Sequence, residues 1–213
     1  MEYKKITPDR YEEVIQHLRD SFFCDEPLNS AAKLCERGEG NEDLEHHSLT
    51  TLDDGFSVMA LDEDNHIAGV ILNGVMQRGD IERAQEKLDI CLDENFKKIF
   101  NLLYDENLAV NFFDRFDVEK VFDIRILSVD PHYRGMGIAK RLMRESEKIA
   151  IENGFKIMKA DATGICSQKV CAQNGFEKIS EVIYSEYVDN DRVPILNVEP
   201  PHDKLMIMFK MLS

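Results

Sequence analysis

Residues 130–139 have the residue types and the spacing of a phosphate-binding loop. An apolar run at residues 121–129 precedes Arg134, Gly135 and Gly137, and an amphipathic segment follows. This pattern predicts a strand, a glycine turn and the start of a helix. The amides in the first turn of a helix lack intrahelical acceptors and lie at the positive end of the helix dipole, so they bind anions. The sequence therefore predicts that phosphate binds here.

Two other phosphate-binding motifs do not match this segment. A Walker A loop is excluded because no Gly-Lys-Ser/Thr follows at the required spacing. A dinucleotide-binding fingerprint needs a third glycine, where Lys140 stands, and an acidic residue that closes a second strand about 20 residues further on. Asp161 lies near that distance, but the glycine pattern is incomplete.

The spacing Arg134-x-x-Gly137-x-Ala139, directly after a strand, resembles the coenzyme A diphosphate loop of the GNAT acetyltransferase superfamily. A second strand at 155–161, a short helix and then Asn-Gly-Phe at 174–176 follow in the order that this superfamily shows. The alternative is an ordinary strand-to-helix turn. The context of the surrounding elements favours the resemblance.

The resemblance implies an α/β (α+β) protein with the GNAT acyl-CoA N-acyltransferase fold. Such a fold has a single mixed, mostly antiparallel sheet with helices on both faces, and we expect residues 1–213 to form one domain. The cosubstrate would be acetyl-CoA. The residues expected to bind it are Leu127, Ser128, Val129, Arg134, Gly135, Met136, Gly137, Ile138, Ala139 and Lys140.

A second segment narrows the resemblance to one branch of the superfamily. Residues 22–29, Phe-Phe-Cys-Asp-Glu-Pro-Leu-Asn, are similar to a segment of the insect arylalkylamine N-acetyltransferases. The similarity also includes Ile-Leu-Ser-Val-Asp at 126–130, Tyr-Arg-Gly-Met-Gly-Ile-Ala at 133–139 and the Asn-Gly-Phe at 174–176. It implies an enzyme that acetylates the primary amine of dopamine, tyramine, octopamine, serotonin or histamine by direct attack on the thioester.

The same branch implies that Glu26 is the general base. An alkylamine is mostly protonated at neutral pH, so a group at the site must accept its proton, and a carboxylate can do so. The other interpretation is that Asp25 and Glu26 only begin a helix, since acidic side chains are favourable at its positive end. Both roles are compatible.

The departing thiolate needs a proton, and the sequence offers two hydroxyls for it. Many superfamily members have a tyrosine at the position of Cys171, four residues before Gly175. The insect enzymes lack it and are thought to use hydroxyl residues, whose positions match Thr163 and Ser167. These would share a helical face if the helix begins early enough. The alternative is that Thr163 caps the helix and Ser167 faces solvent or the cosubstrate.

Other elements must position these residues. The pattern predicts a strand at 3–7, helices after Pro8 and Pro27, a hairpin at 56–76 and two helices at 80–116. A long loop at 184–201 and a strand at 204–212 complete the chain. This order predicts one mixed sheet covered by helices.

Composition excludes several classes of protein. The 213 residues carry 41 acidic and 26 basic side chains, a net charge of −15 that argues against a nucleic-acid partner. No apolar run is long enough to span a bilayer, and no apolar signal segment follows Met1. The five cysteines and six histidines lack metal-ligand spacing. We therefore expect a cytoplasmic monomer with neither metal nor membrane partner.

Two other functions remain open. The same fold could acetylate polyamines or agmatine, since an acidic surface suits polycations equally well. A protein of another class, a noncatalytic acyl-CoA sensor, would bind the cosubstrate without amine-dependent release of CoA.

Overall fold

The computed structural model describes residues 1–213 and contains one seven-stranded sheet. The strands are β1 (Glu2–Lys5), β2 (Val58–Leu61), β3 (Ile67–Gln77), β4 (Lys120–Val129), β5 (Ile157–Ala162), β6 (Glu177–Ile183) and β7 (Lys204–Met211). Their order in the sheet is β1-β2-β3-β4-β5-β7-β6. Every neighbouring pair is antiparallel except β4 and β5, which run parallel.

Helices cover both faces of this sheet, as the sequence predicts. They are α1 (Tyr11–Asp20), α2 (Phe22–Asp25), α3 (Pro27–Ala32), α4 (Glu42–Asp53), α5 (Asp80–Asp89), α6 (Glu94–Val110), α7 (Phe112–Phe116), α8 (Ile138–Glu152) and α9 (Ile165–Gln173). The larger apolar cluster joins one face to helices among α1–α7, and a smaller cluster joins the other face to α8 and α9. The mixed α/β fold class is thereby confirmed. None of the helices is long and apolar enough to cross a membrane.

A β-bulge in β4 shapes the centre of the sheet. Leu72 of β3 pairs with Ile126, but the next residue, Asn73, pairs with Ile124, so Arg125 is an extra residue in β4. A bulge bends its strand and increases the local twist. The pairing of β4 with β5 accordingly stops at Ile124. The last part of β4 is left without a partner on that side, which opens a gap between the two strands.

The structure corrects the sequence prediction at residues 80–116, where it has three helices instead of two. Asn111 ends α6 with a positive φ of 48°, and its side chain accepts a hydrogen bond from Asp114 N at the start of α7. The predicted loop at 184–201 contains only a 3-10 turn, Tyr184–Glu186, and one isolated bridge.

A charged cluster is buried between β4, β5 and the helices next to the gap. Lys159 is only 3% exposed, and its Nζ lies 3.1 Å from Asp123 and 2.9 Å from Asp161. Arg125 Nε donates to Asp123 at 3.0 Å, and Asn107 Nδ2 donates to Asp161 at 2.9 Å. Burial alone lowers the pKa of Lys159, but the two carboxylates raise it above the usual lysine value. The cluster is therefore charged and internally neutralised.

Candidate active site

The glycine loop ends β4 and begins α8, as the sequence predicts. Gly135 and Gly137 have positive φ values of 81° and 78°, which glycine adopts without strain. The first intrahelical hydrogen bond runs from Arg141 N to Gly137 O at 3.1 Å. The backbone N–H groups of Gly137, Ile138, Ala139 and Lys140 donate to no protein acceptor. Four consecutive amides at the start of α8 are thus free to bind an anion.

The space beside this loop is open. A Cβ atom added to Gly135 or to Gly137 would meet nothing within 4 Å, so the space in front of the amides is open. The side chain of Met136 points away into solvent, with 65% of its surface exposed. Lys140 is in the first turn of α8 and pairs with no acidic side chain. The loop could therefore hold the diphosphate of coenzyme A.

Substitution of Gly137 by alanine should weaken the binding of acetyl-CoA by about 10- to 100-fold, because the new methyl group intrudes into a closely fitted contact. Isothermal titration calorimetry with acetyl-CoA measures the change. Gly154→Ala is the matched control, since Gly154 also has a positive φ and open space around it but lies at the other end of α8. Equal weakening in both variants would mean that backbone strain, and not the loop surface, causes the loss.

The unpaired end of β4 presents amides to the gap. Asp130 N donates to Ala68 O of β3 at 3.0 Å, and donors alternate along an antiparallel strand. The N–H groups of Leu127 and Val129 therefore point away from β3 towards the gap, where β5 no longer pairs with β4. Leu127 and Val129 are two of the residues that the sequence predicts to bind the cosubstrate, and these amides could donate to it.

Glu26 lies between α2 and α3, at the N-cap of α3. Its Oε2 accepts a hydrogen bond from Asn29 N at 2.7 Å, and its Oε1 accepts one from Thr163 Oγ1 at 2.6 Å. Burial raises the pKa of Glu26, although both hydrogen bonds counteract this increase. A raised pKa brings a carboxylate closer to the range in which a general base is efficient. Each oxygen keeps a further lone pair for a substrate proton or a water molecule.

Thr163 contacts Glu26 across the gap and is itself fixed by Tyr184. Tyr184 Oη donates to the carbonyl oxygen of Thr163 at 2.6 Å. Burial raises the pKa of Tyr184, and the nearby charge of Glu26 raises it further, so its hydroxyl stays protonated. Neither contact follows from the local sequence, because the residues are far apart in the chain.

The structure does not place Thr163 and Ser167 on one helical face. Helix α9 begins at Ile165, so Thr163 precedes it and the i, i+4 relation is lost. Ser167 Oγ donates to Gly164 O at 2.8 Å and accepts from Gly164 N at 3.3 Å. The idea that Thr163 caps this helix is also wrong, because the N-cap residue is Gly164. The Ser167 hydroxyl accepts the hydrogen bond from the backbone N–H of Gly164.

Gly164 explains why the helix begins late. A Cβ atom there would lie 2.9 Å from Pro27 Cγ and 2.9 Å from His202 Nδ1, so only glycine fits without movement. His202 Nδ1 also accepts a hydrogen bond from Ile165 N at 3.2 Å. The start of α9 therefore packs tightly against Pro27, the residue after Glu26, and is hydrogen-bonded to His202.

Arg134 is not free in this structure. Its Nη2 lies 2.9 Å from Asp25 Oδ2, its Nε donates to Val129 O at 3.2 Å, and Arg37 binds the other oxygen of Asp25 at 2.6 Å. Arg134 thus links the loop to the residue next to Glu26. Its predicted contact with phosphate, and that of Lys140, stays a prediction.

Cys171 occupies the position where many superfamily members have a tyrosine. Its side chain is buried, and burial raises the pKa of the thiol to about 12. A thiol with such a pKa is neither a thiolate nor an efficient proton donor at neutral pH. The structure thus favours a packing role for this residue.

The site thus combines free amides at the start of α8 with the carboxylate of Glu26, an anion-binding turn and a base, which are groups that an acyltransferase needs. Residues 11–176 match the family described as "Acetyltransferase (GNAT) family". The chain therefore belongs to the GNAT acetyltransferases.

Solved structures show which members of the family it is similar to. Arylalkylamine N-acetyltransferase 2 from Aedes aegypti shares 49% identity and a TM-score of 0.97, over 100% of this chain and 99% of that one. A mosquito arylalkylamine N-acetyltransferase like 5b shares 24% identity with a TM-score of 0.89, over 99% of both chains. The polyamine N-acetyltransferase of Drosophila melanogaster shares 20% identity with a TM-score of 0.88, over 99% of both chains. The last two similarities support the fold alone.

Proposed function

We propose that the protein is an arylalkylamine N-acetyltransferase that uses acetyl-CoA. Its substrates are the primary amines of dopamine, tyramine, octopamine, serotonin or histamine. The observation that carries this proposal is the position of Glu26, whose carboxylate accepts a hydrogen bond from Thr163 at the gap, on the side of the free amides of residues 137–140. The 49% identity with the Aedes aegypti enzyme supports the amine class.

Acetyl-CoA supplies the acetyl group as a thioester, which the free amine attacks directly. The amides of residues 135–140 bind the diphosphate. Leu127 N and Val129 N face the thioester and the pantetheine, and one of them donates to the thioester carbonyl oxygen as negative charge develops there. Glu26 accepts the proton of the bound ammonium group, directly or through one water molecule. Its raised pKa makes it a better base than an ordinary surface carboxylate.

Thr163 and Ser167 have different roles in this proposal. The Thr163 hydroxyl donates to Glu26 and so stabilises its charged form. The Ser167 hydroxyl donates only to a backbone carbonyl, which leaves it free to exchange that bond for a proton transfer to the departing thiolate. The second proton that the attacking nitrogen loses then restores the hydroxyl. As part of the proposal, the enzyme acts as a cytoplasmic monomer that binds neither nucleic acid nor membranes and needs no metal.

A panel of amines tests this function. CoA release is followed with a thiol reagent for dopamine, tyramine, octopamine, serotonin, histamine, agmatine and spermidine, and mass spectrometry identifies each product. We expect kcat/KM for at least one arylalkylamine to exceed that for agmatine and spermidine. Preference for the two polycations would instead indicate a polyamine acetyltransferase, and acetyl-CoA binding without amine-dependent CoA release would indicate a sensor.

A further inference from the structure

A closed ring of hydrogen bonds joins α1 to β4 beside the gap. His17 Nε2 lies 2.9 Å from Ser128 Oγ, which lies 3.0 Å from Ser21 Oγ. Ser21 Oγ donates to the carbonyl oxygen of His17. All three side chains are buried, and none of these side chains is used in the reaction proposed above. Ser128 is also among the residues that the sequence predicts to bind the cosubstrate, but its hydroxyl is engaged by His17 and Ser21. We refer to these three residues as the His17 ring.

Only one direction of donation satisfies the whole ring. The Ser21 proton is used on the His17 carbonyl, so Ser128 must donate to Ser21. Ser128 then accepts from His17, which requires a proton on Nε2. Each hydroxyl donates once and accepts once, and the tautomer of His17 is assigned by this network.

The His17 ring touches both halves of the candidate active site. Ser128 stands between Leu127 and Val129, whose amides face the gap. Ser21 forms the junction between α1 and α2, and its carbonyl accepts a hydrogen bond from Asp25 N at 3.1 Å. Glu26 directly follows Asp25 in the sequence. The ring therefore fixes the backbone of the oxyanion donors relative to the backbone that carries the base.

We propose that His17 is a positioning residue for acetyl transfer, which holds the amides of Leu127 and Val129 at a fixed distance from Glu26 through Ser128 and Ser21. This inference rests on the proposed function. A misplacement of about 1 Å in such an arrangement lowers the rate of transfer by as much as 100-fold. The ring supplies the rigidity because each of its members is hydrogen-bonded to the next and buried.

His17 does not act as the base itself. Burial lowers its pKa to about 4, although the charges of Asp130 and Asp20 oppose this effect. The imidazole of His17 is therefore neutral at the pH of the reaction, and its Nε2 proton is already donated to Ser128.

Two substitutions of His17 test the inference. His17→Leu removes the donor, whereas His17→Gln keeps an N–H group where Nε2 lies. With the amine that reacts fastest in the panel, we expect His17→Leu to lower kcat by about 10- to 100-fold while the Kd for acetyl-CoA changes less than threefold. His17→Gln should retain at least a third of kcat. His46→Leu, at an exposed histidine of α4, is the control and should match the wild type.

Hydrogen exchange provides a readout that does not depend on turnover. In His17→Leu, amide exchange should rise together in peptides that cover residues 22–26 and 127–129. Should His17→Leu fail to fold, Ser21→Ala interrupts the same ring, and the same kcat loss and exchange increase are expected.

Two results would overturn the inference. The first is an unchanged kcat together with unchanged exchange in a folded ring variant, and the second is an equal loss of kcat in His17→Gln and His17→Leu. A wild-type protein without turnover would instead contradict the proposed function, and the exchange data would still decide whether the ring couples the two segments.

Discussion

Replacement of Glu26 by glutamine should lower kcat/KM for the preferred arylalkylamine by about 10²- to 10⁴-fold, the usual contribution of a general base. The amide keeps the size of the side chain and can still contact Thr163 and Asn29, so the loss reports on proton transfer. Steady-state kinetics at neutral pH measures it. Glu152→Gln at the exposed end of α8 is the matched control and should leave the rate unchanged. Comparable rates for Glu26→Gln and wild type would remove Glu26 from the mechanism.

The pH profile gives an independent check of the same role. Only ionised Glu26 accepts a proton, so kcat/KM of the wild type should fall as the pH drops through the raised pKa of this residue. Thr163→Val removes a hydrogen bond that lowers this pKa, and the acid limb should therefore move to higher pH. Ser167→Ala should leave the limb in place, because Ser167 does not contact Glu26.

Replacement of Lys159 by methionine should lower the free energy of unfolding by about 3 to 5 kcal/mol, because Asp123 and Asp161 lose a buried counterion. Urea denaturation at pH 7 measures this change. Lys148→Met serves as the control, since Lys148 is exposed and its substitution should change stability by about 0.5 kcal/mol or less.

The pH dependence of this variant has a definite sign. Without Lys159, the folded-state pKa of Asp161 rises further above its unfolded value, because burial already raises it. A group with a raised folded pKa stabilises the protein at low pH, and this stabilisation is lost as the pH increases through that pKa. The loss of unfolding free energy in Lys159→Met, relative to the wild type, should therefore be largest at neutral pH and become smaller in acid. A loss of unfolding free energy that does not depend on pH would indicate lost packing and not an unpaired charge.

Local patterns predicted the parts of the site that lie within one segment. The glycine loop and the start of α8 follow from Gly135 and Gly137 after an apolar run, since helix ends and glycine turns are encoded locally. The segment around Glu26 was found through a resemblance of eight consecutive residues. The fold class was predicted from the order of the elements, which local signals also supply.

Contacts between distant segments could not be predicted in this way. The start of α9 depends on how tightly Gly164 packs against Pro27 and His202, and no local rule reports that distance. The late start of α9 is why Thr163 neither caps this helix nor shares a helical face with Ser167. Similarly, the break at Asn111 requires a positive φ that asparagine only sometimes adopts. Tyr184 carried no local signal at all.

The single extra residue in β4 has a second consequence for the side chains beyond it. Five positions separate Asp123 from Ser128, and an odd separation puts two residues of a regular strand on opposite sides. Here both side chains point to the same side, where Asp123 meets Lys159 and Ser128 meets α1. One inserted residue thus inverts the inside-outside alternation of the strand. A strand that kept Arg125 but lost the bulge would turn Ser128 towards α8 and leave His17 without its neighbour.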